Sequence, residues 1–208
     1  QRHWAGPAPV AAARRPAEMC AGGPGPPLPE LAALRQTALA RGAVWRRVQS
    51  GESFEIAGVG VEVLHPPRPE WERQRVRNDD SVVIRLRYGA ADFLLTGDAG
   101  AEFEAGALTE TGVGPLRVLK VGHHGSRTST SAGLLSGFRP QMAIISAGRG
   151  NVFGHPAPDV VRRLDAARVE LFRTDRDGAV ILETDGASVE VKTMGGRSWR
   201  LGLWRVRT

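Results

Sequence analysis

The sequence predicts a layered α/β protein, and three observations carry this prediction. Strand-like and helix-like segments alternate over the second half of the chain, which is typical of layered α/β domains. Continuous apolar runs at Phe93–Leu95 and Ala143–Ile145 indicate strands that are buried on both faces, so helices should cover the sheet. The chain has 208 residues of which 41% are hydrophobic, enough for one domain with a real core.

The N-terminal segment is expected to be disordered. Residues 1–29 contain seven of the 14 prolines together with many glycines and alanines, and they show no apolar periodicity. Such a segment cannot offset the entropy cost of ordering, so we predict that residues 1–28 are unstructured. Structure should begin at about Leu28, because Leu31, Leu34, Ala38 and Leu39 follow helical spacing until Gly42 ends the run.

Short strands should follow this helix, separated by turn residues at Ser50-Gly51 and at Gly58. The predicted strands are Ala43–Val48, Ser53–Ile56 and Val59–Leu64. His65-Pro66-Pro67 should end the third strand, and the charged run Arg68–Arg77 is predicted to be a surface loop. A hairpin around Gly89-Ala90 comes next, formed by Ser81–Tyr88 and Asp92–Thr96.

The alternating part of the domain extends to residue 195. Its predicted strands are Leu116–Val121, Met142–Ser146, Val169–Arg173, Ala179–Glu183 and Ser188–Val191. Its predicted helices are Ser131–Phe138 and Pro158–Ala167. The domain is therefore predicted to span residues 29–195.

The charge balance is compatible with a polyanionic partner such as DNA. The formal net charge is +6 and the isoelectric point is near 10.8, although an arginine-rich solvated surface would give the same values. Residues 196–208 form a basic segment with Trp199 and Trp204, which suits phosphate contact with base stacking, or packing of the tryptophans on the domain. No apolar run is long enough to cross a bilayer, so a soluble chain is expected. The single cysteine, Cys20, excludes an internal disulfide and a cysteine-rich zinc site.

Polar loops follow three of the predicted strands, and they should converge along one rim of the sheet. These loops are Thr96-Gly97-Asp98, Gly122–Ser126 and Asn151–His155. Ligands commonly bind at such a rim in layered α/β proteins. Imidazole nitrogens and a carboxylate can together hold Zn²⁺ or Mn²⁺, which would activate water for hydrolysis.

Four runs of sequence carry a resemblance to a known family: NDDSVVIRL, FLLTGD, LKVGHHGS and GRGNVFGHP. In this order and spacing they are similar to the latter half of the metallo-β-lactamase domain at the C-terminus of ComEC-type DNA-internalisation competence proteins. The resemblance covers roughly Leu28 to Gly195. It implies the C-terminal half of an αββα sandwich and a dinuclear zinc or manganese site. It also implies that Asp98 is the carboxylate that bridges the metals and that His123 or His124 is a late ligand.

Each of these residues also has a simpler interpretation. Asp98 could cap the segment that follows it. If His123 and His124 continue a strand they should point to opposite faces, so one would be the ligand, with a slight preference for His123, and the other a supporting group. A role toward substrate, or alternatively a purely structural loop role, is predicted for Asn78, Asp80, Ser81, Ser126, Asn151 and His155.

The first metal motif of the family, HxHxDH or HxDxDH, is missing upstream of these runs, so the site is expected to be incomplete. The resemblance implies a parent activity of DNA phosphodiester hydrolysis during natural transformation. It also implies a parent protein in the inner membrane, with this domain on the outer side. The alternatives are a nucleic-acid-binding module without catalysis, an inactive remnant, or a small-ester hydrolase of the same fold.

Overall fold

The computed structural model describes residues 16–22, 29–67, 81–100, 103–104 and 114–203. Within these ranges the helices are α1 (Pro29–Ala40), α2 (Ala132–Phe138), α3 (Pro158–Ala166) and the short α4 (Thr174–Asp177). The strands of the first half are β1 (Glu18–Ala21), β2 (Val44–Arg47), β3 (Ser53–Ile56), β4 (Val59–His65), β5 (Val83–Tyr88) and β6 (Ala91–Leu95). The remaining strands are β7 (Leu116–Lys120), β8 (Met142–Ile145), β9 (Glu170–Arg173), β10 (Val180–Thr184), β11 (Ser188–Thr193) and β12 (Ser198–Gly202).

A mixed seven-stranded sheet forms the centre of the domain, in the order β3-β4-β5-β6-β7-β8-β9. Neighbouring strands from β3 to β6 are antiparallel, whereas β6, β7, β8 and β9 are parallel. The carboxyl ends of β6 to β9 therefore lie at one edge of the sheet, together with the end of β4 and the start of β5. We call this edge the loop edge, because the polar loops leave the sheet there.

Two hydrophobic clusters show that the central sheet is covered on both faces. On one face, Leu119 and Ile145 pack with Leu134, Phe138 and Val160 of α2 and α3. On the other, strand residues of the central sheet pack against the three-stranded sheet β10-β11-β12 through Val118, Phe172, Val189, Val191 and Leu201. The layers are thus helices, sheet and sheet, which confirms the α/β class.

One strand lies inside the segment for which the composition predicts disorder. β1 runs parallel to β2, with Glu18 opposite Val44 and Ala21 opposite Arg47. The backbone N–H groups of Val44 and Val48 donate to the carbonyls of Ala17 and Ala21 at 2.8 and 2.9 Å. Pairing with β2 orders these residues without any apolar periodicity of their own, so the composition argument does not hold for them. Residues 1–15 and 23–28 lie outside the described residues, as does the predicted loop Arg68–Arg77.

The basic C-terminal segment is in part a strand of the domain. Ser198–Gly202 forms β12, antiparallel to β11, and Trp199 packs against the second cluster. The sequence left open whether the tryptophans stack on DNA bases or pack on the domain, and Trp199 packs on the domain. Residues 204–208 lie outside the described part of the chain.

The predicted helices and most predicted strands are present within one or two residues of their expected bounds. Ser131 is the N-cap of α2, and its side chain accepts a hydrogen bond from the backbone N–H of Leu134. Among the described helices, none has the length and apolar character that a membrane crossing requires.

Candidate active site

Asp98 lies at the loop edge, three residues after the end of β6. The hydroxyl of Thr96 donates to the backbone carbonyl of Lys120 at 2.8 Å, which ties the end of β6 to the end of β7. The backbone N–H of Asp98 donates to Oγ of Ser81 at 3.1 Å, and Ser81 precedes β5. The carboxylate of Asp98 is 20% exposed. Three neighbouring strands therefore fix the position of a partly buried anion.

The two adjacent histidines lie in a tight 3₁₀ turn, Gly122–Gly125, after β7. Both have left-handed backbone angles, with φ/ψ of 46°/42° for His123 and 56°/19° for His124. Such angles are unfavourable for residues other than glycine, and where they occur they are often at functional sites. The two histidines do not continue a strand, because β7 ends at Lys120, so the alternation of side chains along a strand does not apply to them.

The turn also packs closely against the Asp98 loop. The backbone N–H of His123 donates to the carbonyl of Gly97 at 2.9 Å. A Cβ atom on Gly122 would lie 3.0 Å from Oγ1 of Thr96 and 3.1 Å from the carbonyl oxygen of Ala99, so a side chain there would push the two loops apart. Glycine at this position therefore permits the approach of the histidines to Asp98.

His124 is the histidine whose ring approaches Asp98. Its Nδ1 is 2.6 Å from the carbonyl oxygen of Ser146, which follows β8, and its Nε2 is 3.9 Å from Oδ1 of Asp98. A carbonyl only accepts, so Nδ1 carries the proton. Nε2 is the ring nitrogen nearer to the carboxylate, and an imidazole nitrogen and a carboxylate oxygen are both ligands of Zn²⁺ or Mn²⁺.

His123 and His155 form a second pair of rings beside the first. Their centroids are 5.9 Å apart with an interplanar angle of 61°. The pKa of His155 lies below its usual value, mainly because burial disfavours the charged form, and also because His123 and His124 lie nearby. The carboxylate of Asp98 acts in the opposite direction. His155 is therefore electrostatically coupled to the other three groups and favours its neutral form.

The residues with a predicted role toward substrate fall into three groups. Ser81 and His155 lie beside the Asp98–His124 pair, as the contacts above show. Ser126 is buried, and its hydroxyl lies 3.2 Å from that of Thr128. The side-chain amide of Asn151 forms hydrogen bonds with the backbone of Gly148 and His155. Both side chains therefore contribute to the structure of their loops. Asn78 and Asp80 lie outside the described residues.

Two further side chains at this edge were not singled out from the sequence. Lys120 ends β7, is half-buried and donates to the carbonyl of Val121 at 3.0 Å. Burial lowers its pKa, and the nearby charge of Asp98 partly offsets this effect. The available signal was a lysine at the end of the apolar strand LRVLK. Phe153 is 67% exposed and stacks on His155, and its signal was an aromatic residue in a glycine-flanked polar loop.

Asp98 and His124 could supply two ligands to a metal ion, which is fewer than a complete coordination sphere needs. Ligands about 2.0–2.2 Å from a tetrahedral ion lie roughly 3.4 Å apart, so the present 3.9 Å would need to shorten by a few tenths of an ångström. Within the described ranges, no three His, Cys, Asp or Glu side chains converge as a metal-binding group. A catalytic zinc takes about three protein ligands, so at least one more would have to come from elsewhere.

Three curated proteins match about two thirds of the chain. The ComE operon protein 3 of Bacillus subtilis is 32% identical over 145 residues, 70% of this chain. The competence protein ComA of Neisseria gonorrhoeae is 38% identical over 62% of the chain, and the recombination protein 2 of Haemophilus influenzae is 38% identical over 63%. The chain is a relative of the ComEC-type competence proteins. The family resemblance seen in the four sequence runs is thereby confirmed.

The match to the ComEC-type proteins is confined to a small part of each of them. The aligned region spans 18% of the Bacillus protein, 18% of the Neisseria protein and 16% of the Haemophilus protein. No protein-family model matches the chain. The similarity therefore links this α/β domain to one region of the ComEC-type proteins.

Proposed function

We propose that this chain supplies one part of a metal-dependent hydrolase site that cleaves DNA phosphodiester bonds in a ComEC-type DNA-uptake protein. The observation that carries the proposal is the approach of His124 Nε2 to the Asp98 carboxylate, with His124 Nδ1 anchored on the Ser146 carbonyl. A histidine that ligates a metal commonly donates its other N–H to a backbone carbonyl, which fixes both tautomer and ring orientation.

The side chains at the loop edge then take distinct roles. Asp98 and His124 would hold Zn²⁺ or Mn²⁺, and the geometry favours His124 over His123 as the ligand. When bound, such an ion supplies Lewis acidity toward a phosphoryl oxygen. His123 and the neutral His155 would contact the substrate or support the ligands, and the Lys120 ammonium would contribute positive charge beside the anionic substrate.

The layer order supports a finer assignment of the fold. Helices, the central sheet and a second sheet correspond to three successive layers of the αββα sandwich of metallo-β-lactamases. In this proposal a further part of the ComEC-type protein adds the missing layer and the missing ligands. The parent protein would lie in the inner membrane with this domain on the outer side, where incoming DNA arrives.

A second candidate is a DNA-binding module without catalysis. The net charge of +6 and the absence of a three-ligand cluster among the described residues favour it. The two candidates differ in metal dependence, since binding through phosphate contacts continues in a chelator and hydrolysis at a metal site does not.

The deciding experiment compares this chain with a version completed by the first half of a family-type domain. The chain alone should bind Zn²⁺ and Mn²⁺ weakly and cleave labelled DNA little, whereas the completed protein should gain both properties. In the completed protein, Asp98→Asn should reduce cleavage at least about 100-fold, which exceeds the 10–100-fold effect of residues that only orient a ligand. Isothermal titration of metal and gel assays of cleavage provide the two readouts.

Asp165→Asn is the matched control, because Asp165 is exposed on α3. It should leave cleavage unchanged. Full activity of the completed Asp98→Asn protein would contradict the role of Asp98, and strong metal-dependent cleavage by the present chain would contradict the ligand count. A completed protein that binds DNA but never cleaves it would favour the binding module.

A further inference from the structure

We propose that Phe153 is a stacking platform for an unpaired nucleobase, which makes single-stranded nucleic acid the preferred substrate at this site. The inference rests on the proposed action of the site on DNA and names the form of DNA that fits. The Phe153 ring is largely exposed to solvent and lies beside His155.

The loop between β8 and α3 presents two large apolar side chains to solvent. Val152 is 80% exposed and Phe153 is 67% exposed. The loop is nevertheless well braced, because the side-chain amide of Asn151 donates to the carbonyls of Gly148 and His155 at 3.0 and 2.6 Å. The Asn151 side-chain oxygen accepts from the backbone N–H of His155 at 2.9 Å. The exposure of Phe153 therefore belongs to a defined loop conformation.

The Phe153 ring is connected to the candidate active site through other rings. It stacks on His155 with an interplanar angle of 19° and a centroid distance of 6.0 Å. His155 in turn contacts the ring of His123 at 5.9 Å, and His123 is adjacent to His124. A planar group that stacks on Phe153 would thus lie within two ring contacts of the histidine turn.

The surroundings of Phe153 favour a nucleotide over a purely apolar ligand. Two exposed arginines belong to the polar loops of the site. Arg127 directly follows the histidine turn and has its Nε 3.5 Å from the carboxylate of Asp159. Arg149 lies four residues before Phe153 in the chain, and its Nε donates to the carbonyl of Asp175 at 3.3 Å. Guanidinium groups bind phosphate, while an aromatic face binds the π-face of any base. In a duplex the bases already stack on each other, so only an unpaired base can reach the ring. Single-stranded DNA should therefore use Phe153, and duplex DNA should not.

The test measures DNA binding by the full chain in a chelator, so that it does not depend on metal or cleavage. Fluorescence anisotropy would compare a labelled oligothymidylate, an abasic strand of the same length and a duplex. Phe153→Ala should weaken binding of the oligothymidylate about 5- to 150-fold, the range for loss of one base–aromatic stack. Phe153→Trp should retain binding, and the neighbouring Val152→Ala should not change it. Neither the abasic strand nor the duplex should respond to any of the three substitutions.

Three outcomes would overturn the proposal: unchanged oligothymidylate binding by Phe153→Ala, an equal loss on the abasic strand, or no binding of single strands by the unaltered chain. The first is also the result expected if another polypeptide segment covers Phe153. The outcomes separate from those of the hydrolase proposal. If cleavage requires Asp98 but is unchanged by Phe153→Ala, only the stacking proposal is contradicted. If binding depends on Phe153 but the completed protein does not cleave DNA, only the hydrolase proposal is contradicted.

Discussion

At the scale of single residues, the contact between His124 and Asp98 depends on the conformation of the histidine turn and on a backbone carbonyl that follows β8. Asp98, His123 and His124 follow apolar strands, and this pattern placed them correctly at one edge of the sheet. The pattern could not say which histidine meets Asp98, because that depends on left-handed backbone angles in a 3₁₀ turn and on the distant carbonyl of Ser146. Local sequence does not encode a contact of this kind.

Lys120 allows a prediction about the energetic cost of positive charge at this edge. Burial lowers its pKa, so the charged form is less favourable in the folded chain than in the unfolded chain. Lys120→Met should therefore raise the free energy of unfolding at pH 7, by about 1 kcal/mol on the scale of similar polar-to-apolar replacements. Urea denaturation measures this change.

The pH dependence of that gain has a definite sign. Between the lowered folded-state pKa of Lys120 and its unfolded value near 10.5, the unfolded chain binds more protons, so the stability of the unaltered chain rises with pH. The advantage of Lys120→Met should shrink across this window. Lys192 is the control, because its ion pair with Glu183 raises its pKa and Lys192→Met should give no gain. A constant advantage up to pH 10.5 would contradict the assignment of the cost to charge.

At the scale of elements, helix α2 shows what the sequence could and could not predict. The sequence predicted a helix at Ser131–Phe138, and the structure has it at Ala132–Phe138 with Ser131 as its N-cap. The buried carboxylate of Glu104 was not predicted, although it accepts from the backbone N–H groups of Thr130 and Ser131 at 2.5 and 2.6 Å. The bonds join residues 26 and 27 positions apart, a separation over which periodicity carries no information.

Glu104 should therefore contribute strongly to stability. Glu104→Ala would leave the buried N–H group of Thr130 and the partly buried N–H group of Ser131 without their charged acceptor, and we expect a loss of about 3 kcal/mol in the free energy of unfolding. Glu104→Gln keeps one acceptor oxygen and should lose roughly half as much. Glu55→Ala on the exposed face of edge strand β3 is the control. If Glu104→Gln and Glu104→Ala lower the free energy of unfolding equally in denaturant unfolding, the stabilisation does not come from the acceptor oxygens of Glu104.

At the scale of the whole molecule, the layered α/β architecture followed from the alternation of apolar strands with helices. The buried ion pair between Arg85 and Asp92 was not predictable, because charged residues are rarely fully buried. Its two hydrogen bonds, at 2.9 and 2.6 Å, join β5 and β6 beneath the surface. The strand β12 could not be predicted either, because a short basic segment shows no strand pattern of its own. Its Trp199 and Leu201 are packed only because β12 pairs with β11.

The C-terminal segment permits a test that separates packing from DNA contact. Trp199 packs between the sheets, so Trp199→Ala should lower the free energy of unfolding by about 2–3 kcal/mol, below the range for a fully buried tryptophan. It should leave the salt dependence of DNA binding unchanged.

Replacing Arg205 and Arg207 by Gln should reduce the salt dependence of DNA binding and leave the free energy of unfolding unchanged. The reason is that each lost phosphate contact reduces the slope of log affinity against log salt by roughly 0.7–0.9. Denaturant unfolding and anisotropy titrations at several salt concentrations measure the two effects. A slope that changes with Trp199→Ala, with stability preserved, would assign that ring to DNA and would contradict its place in the core.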